Sequence, residues 1–122
     1  MTIPPANRRL PVWRRLRHQR DFERVYAARC RAGDGQLLVY ADVGNEQRGT
    51  RFGLSVSRKH GNAVRRGRLK RLLREAFRLQ QHVLPAGLDL VLIPRQGADP
   101  TLEDLERSLL QLSNKLAVRM SE

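Results

Sequence analysis

Apolar residues along this chain recur with two different periods, and the switches between them mark out its elements. From Gln19 to Arg29, Phe22, Val25 and Tyr26 stand at i, i+3 and i+4. That spacing predicts a short amphipathic helix, closed by Gly33 and Gly35. From Gln36 to Val43 the period drops to two. Leu37, Val39, Ala41 and Val43 fall on the face expected to meet the core, and Gln36, Leu38, Tyr40 and Asp42 fall on the other. After a turn at GNEQRG (44–49), Phe52, Leu54 and Val56 alternate with Arg51, Gly53, Ser55 and Ser57. The two runs predict an antiparallel strand pair. Its second face is unusual, because Leu38 and Tyr40 stand there beside the small residues Gly53 and Ser55.

Asn62 is placed to cap a helix running to about Gln81. Leu69, Leu72, Leu73, Ala76 and Phe77 form one stripe on it, while Lys70, Arg71, Arg74 and Arg78 cluster on the opposite side. Pro85 and Gly87 stop this helix. The run LDLVLI (88–93) reads as a central strand ended by Pro94. Pro100 and Thr101 announce a last helix, with Asp104 in a capping-box position and Leu102, Leu105, Leu109, Leu112 and Leu116 as its core stripe. The order is α-β-β-α-β-α, a layer of helices on a small sheet, in the α+β class. Residues 1–12 hold three prolines and no period, so they read as a flexible basic arm carrying Arg8 and Arg9. Order is expected from about Arg17, within a single domain over 13–122.

Charge changes the picture most. The chain of 122 residues carries a net +12, and residues 58–78 alone contribute +8, with nine Lys/Arg against Glu75. Residues 1–31 add +7, and the remainder is nearly neutral. An exposed helix face ordinarily mixes signs to gain i,i+4 pairs, yet six basic residues stand between positions 65 and 74 before the first acid. Such self-repulsion points to a polyanionic partner, and a helix holds the charges at fixed positions against a phosphate backbone. An anionic membrane is disfavoured, because the apolar stripe of 69–77 is needed for the core. No apolar run reaches the ~18 residues of a membrane span, and the single cysteine, Cys30, cannot form an intrachain disulfide. The N-terminal arginines lack the serine enrichment of a transit peptide. A cytoplasmic location is expected.

Nothing in the sequence assembles a catalytic site. Glu103, Asp104 and Glu106 are the densest acids, but adjacent helical positions point apart, and acids at a helix start offset its dipole. His18, His60 and His82 lie in three different segments, with no motif joining them to Cys30 or to a serine nucleophile. The expectation is no catalytic residue and no protein-held metal. Phe22 and Tyr26 admit two readings. They are core residues, or, where the first helix leaves the unusual sheet face uncovered, they form with Tyr40 a cleft offering stacking surfaces to unpaired bases.

The stretch GLSVSRKHGNAVRRGRLKRLLREAFR (53–78) resembles the signature of the bacterial ribonuclease P protein subunit: a strand end of the GxSVSxK type, then GNAV, then an arginine-rich helix. DFERVY (21–26), QLLVY (36–40) and DLVLIPR (89–95) resemble further ordered motifs of that family, so the likeness covers roughly residues 17–118. It implies a small, mainly antiparallel sheet in a ribosomal-S5-domain-2-like fold with a left-handed β-α-β crossover, against the usual right-handed rule. It also implies a role in ribonucleoprotein endonuclease action, in which a catalytic RNA removes the 5′ leader of precursor tRNA with Mg2+ bound mainly by RNA. Carried over by position, Arg65, Arg66, Arg68, Lys70, Arg71 and Arg74 would bind the catalytic RNA. Phe22, Tyr26, Leu38 and Tyr40, with Arg58 and Lys59 nearby, would line a cleft for the leader. The partners implied are RNAs, with no protein partner. A ribosomal or general RNA-binding protein is the alternative, since it shares the charge without needing the cleft. One departure stands out: Gly67 occupies the position where the family usually has Asn between the first two arginines of the helix motif.

Overall fold

The long helices form where their spacing predicts. In the computed structural model, which describes residues 9–44 and 48–122, Asn62 Oδ1 accepts the Arg65 amide at 2.9 Å and opens helix α2, Ala63–Gln80. Thr101 and Asp104 form a reciprocal capping box, at 3.0 and 3.1 Å, that opens helix α3, Leu102–Ser121. A shorter helix, α1, spans Gln19–Ala27.

Four strands follow the order β1-β2-β4-β3 across one sheet: β1 Cys30–Gly33, β2 Leu37–Val43, β3 Arg51–Leu54 and β4 Leu88–Pro94. The sheet corrects two expectations. First, β2 and β3 do not pair with each other. β4 lies between them, antiparallel to β2 and parallel to β3. The physical reason is that β4 is buried along its whole length except at Ile93, so it needs a neighbour on both edges and cover on both faces. β3, α2 and β4 thus make a parallel β-α-β unit inside an otherwise antiparallel sheet. Second, residues 30–33 are a strand rather than a helix ending. Arg29 takes a left-handed backbone at φ 57° just after α1, and the chain turns back along β2 with Arg31 opposite Tyr40. Asp34 Oδ1 accepts the Gln36 and Leu37 amides, both at 2.9 Å, and closes this hairpin.

One sheet face meets α2 and α3. Leu37, Val39, Ala41, Phe52, Leu90 and Leu92 pack there with Leu73, Phe77, Leu105, Leu109 and Leu116, and Phe52 stacks on Phe77 at 4.1 Å. Val43, expected in that core, is exposed, because β2 outruns the helices at this end. α1 covers only part of the opposite face, where Leu16, Val25 and Val91 form a second cluster with Phe22, Tyr26, Tyr40 and Ile93. Order begins earlier than Arg17. Leu10 packs against the main core, Val12–Arg14 form a 3₁₀ turn, and the Leu16 amide donates to Phe52 O at 2.7 Å, extending the edge beyond β3. Arg8 in the predicted arm and residues 45–47 in the predicted turn lie outside the described residues.

Candidate nucleic-acid interface

Helix α2 sorts its residues by face as the stripe requires. Leu69, Leu73, Ala76 and Phe77 are buried, whereas Leu72 is half-buried. Leu72 and Leu10 lie in a groove of about 450 Å³ whose sides are Arg68, Arg71, Arg74, Glu75 and Arg78. The six predicted RNA-binding cations are not equivalent. Arg65 and Arg68 turn toward the segment before α3. Arg68 lies 3.1 Å from Asp99 and Arg65 3.7 Å from it, and Arg65 also donates to the Ala98 carbonyl. Among the described residues, Arg66, Lys70, Arg71 and Arg74 form no ion pair. Arg74 Nε donates to the Lys70 carbonyl at 3.3 Å, which steadies its guanidinium along the helix.

Across the sheet, the face left open by α1 holds two depressions. The first, about 430 Å³, is lined by Tyr26, Arg29, Arg31 and Tyr40. Tyr26 and Tyr40 meet edge to face, with ring centres 4.9 Å apart, and Arg31 Nη1 donates to Tyr40 Oη at 3.1 Å. The second, about 290 Å³, includes Leu38, Ser55, Lys59, His60, Ile93 and Arg95. Leu38, Tyr40, Tyr26 and Lys59 therefore do line open surface. Phe22 lines neither depression. Its ring lies over Gly53, where a Cβ would sit 2.5 Å from a ring atom, so this glycine is the socket that lets Phe22 and α1 approach the sheet. Arg58 is exposed on a 3₁₀ turn, Arg58–His60, and reaches neither depression.

An ionic cluster seats α1. Arg24 pairs with Asp42 at 2.6 Å and with Asp89, and Arg51 pairs with Asp89 at 2.7 Å. Burial alone would push the Asp89 carboxyl up, but hydrogen bonds from Arg51 and Arg24, with their charges, outweigh it and hold the carboxyl below its ordinary value. Asp34 behaves alike. Burial pushes it up, and hydrogen bonds from Ser108 and from the Gln36 and Leu37 amides, with the charge of Arg95, bring it below the usual range. These carboxylates are thus committed to arginines and amides. Among the described residues no group of three or more His, Cys, Asp or Glu side chains could hold a metal ion. Also among the described residues, no helix is long and apolar enough to cross a membrane.

A family model, that of Ribonuclease P, matches residues 10–117 of the chain. The chain belongs to the ribonuclease P protein family. Ribonuclease P protein components from Brevibacillus brevis and Finegoldia magna are each 41% identical to it, over 105 and 104 residues. Those alignments cover 85% and 83% of this chain, and 83% and 88% of the relatives. Solved ribonuclease P proteins from Staphylococcus aureus and Thermotoga maritima superpose with TM-scores of 0.70 and 0.71, at 34% and 33% identity. They share 85% and 83% of this chain and 94% and 96% of theirs. The α+β fold is that of the ribonuclease P proteins, with its four-stranded mixed sheet.

Within this ribonuclease P fold, several residues on the open face escape sequence reasoning. Arg31 faces Tyr40 only because residues 30–33 are a strand, and a four-residue edge strand carries too short an alternation to announce itself. Arg95 lies over Gly33 and donates to the Asp34 carbonyl at 2.9 Å, a contact 61 residues apart in sequence. His60 is buried, accepts the Ser57 amide at Nδ1 (3.0 Å), and donates from Nε2 to the Pro94 carbonyl at 2.8 Å. The Ser57-x-x-His60 spacing, which closes a capping box, was the available signal for that last residue.

Proposed function

We propose that this chain is the protein subunit that assists a catalytic RNA in removing the 5′ leader of precursor tRNA, giving the mature tRNA 5′ end. The observation that carries the reading is the pairing of two surfaces on one small fold: a helix with four cations lacking ion pairs, and an aromatic cleft that α1 leaves open. The first suits the phosphate backbone of a folded RNA, and the second suits unpaired bases, which stack on aromatic rings. Arg66, Lys70, Arg71 and Arg74 would engage the catalytic RNA directly. Arg65 and Arg68 would join them by exchanging Asp99 for phosphate. Tyr26, Leu38 and Tyr40 would hold leader nucleotides, with Lys59 at the rim, Arg58 farther out and the half-buried Phe22 as support of the wall.

The protein then contributes binding and orientation. Hydrolysis, and the Mg2+ ions it uses, belong to the RNA, with the cytoplasm as the site of action. Replacing Tyr40 with alanine tests the cleft. Stacking is worth roughly 1–3 kcal/mol per base by such a substitution, so the reconstituted holoenzyme should lose about 5- to 150-fold of its preference for precursor over mature tRNA. Unchanged preference would favour a general RNA-binding role instead. Purified protein without the RNA subunit should give no specific cleavage of precursor tRNA.

A further inference from the structure

The depression at Tyr26 and Tyr40 is also lined by two arginines, Arg29 and Arg31, that the stacking role does not use. Both are exposed, and neither forms an ion pair among the described residues. Arg31 is held in place: it stands opposite Tyr40 in the β1–β2 register, donates to Tyr40 Oη at 3.1 Å, and places its guanidinium carbon 5.9 Å from that ring centre. Its own carbonyl accepts Arg119 Nη1 at 2.6 Å, which fixes the edge strand from the α3 side. Arg29 is the one non-glycine residue at positive φ among the described residues, in the position after a helix end where glycine is the usual occupant. An arginine kept in an unfavourable backbone state beside a second arginine and two tyrosine rings is a constellation for a phosphate next to a stacked base.

We infer that Arg29 and Arg31 form a phosphate subsite that grips one phosphodiester of the single-stranded leader beyond the nucleotide stacked against the Tyr26–Tyr40 pair. The inference rests on the leader-cleft reading above and adds to it a charged contact at a defined distance along the leader. A leader too short to reach β1 gains nothing from the pair, and a longer one gains a charge-assisted clamp.

The test is made on the reconstituted holoenzyme with precursor tRNAs of stepwise longer leaders. Arg29→Gly combined with Arg31→Ala should weaken binding about tenfold, the value of a charged hydrogen bond, only for leaders that reach the subsite. A one-nucleotide leader should bind as before. A single neutral methylphosphonate at the gripped position should weaken the unmodified protein and leave the double variant unaffected. Arg29→Gly alone should raise the melting temperature while lowering long-leader affinity, opposite movements that a merely structural role would not give. Equal losses at every leader length, or no loss at any, would overturn the subsite. Tyr40→Ala is the companion measurement. If it abolishes leader dependence and the double variant does not, only the subsite falls. If neither changes it, the cleft reading falls as well.

Discussion

Gly67 sits in the middle of the cationic face of α2, and its surroundings say what its missing side chain costs. A Cβ built there would meet only Arg71 Nη1, at 3.5 Å, an ordinary contact. The position is therefore open rather than reserved for glycine. Gly67→Ala should stabilise the protein by roughly 0.5–1 kcal/mol, the usual penalty for glycine inside a helix, read as a higher urea midpoint. Gly67→Asn should leave affinity for the catalytic RNA equal or tighter, and a weakening beyond tenfold would mean that RNA backbone approaches this glycine directly. Gly53 is the opposite case, since its Cβ would collide with Phe22. Both glycines stand plainly in the sequence. Their difference was not legible there, because one depends on the local helix and the other on a ring that arrives from 31 residues away.

The position of α1 decides how much of the sheet stays open, and the Arg24–Asp89–Arg51 cluster decides the position of α1. Asp89 is 2% exposed at its side chain, while its two arginines remain partly solvated. Asp89→Asn should therefore cost about 2–3 kcal/mol, below the range for a fully buried pair, and should also lower precursor affinity by loosening the cleft wall. The pH dependence has a definite sign. The folded carboxyl is held below its ordinary value, so its contribution is full above about pH 4, the unfolded value, and is lost as pH falls through the lower folded one. Urea midpoints measured downward from pH 5 should fall more steeply for the unmodified protein than for Asp89→Asn; parallel curves would show that the cluster is not coupled to folding. Sequence reasoning reached α2 and α3 because each carries its own period and its own cap, and β4 because its continuous apolar run ends at a proline. It missed the cluster, the edge strand β1 and the neighbour of β3 because those depend on pairings between distant segments.

For the whole molecule, the separation of charges into tied and untied sets fixes the expected strength of the proposed binding to RNA. Four α2 cations without ion pairs give a log–log slope of affinity against salt near −3 to −4, at 0.7–0.9 per neutralised phosphate. Asp99→Asn frees Arg65 and Arg68 and should steepen that slope by about 1–2 while tightening binding at low salt. A flat salt dependence would remove α2 as the anchor. The two proposed surfaces lie on opposite sides of the sheet, and β4 packs toward both, with Leu90 and Leu92 in the main core and Val91 and Ile93 in the cluster under α1. It is the last strand to appear in the chain and one of the two inner strands. During synthesis, β2 and β3 emerge with no shared neighbour, and they keep unpaired edges until Leu88–Pro94 has left the ribosome. The arginine-rich helix is thus made before the scaffold that orients it can close. On the proposed function, a chain halted short of β4 would present the charge of an RNA binder without its shape, and discrimination between RNAs would arrive only with the final third of translation.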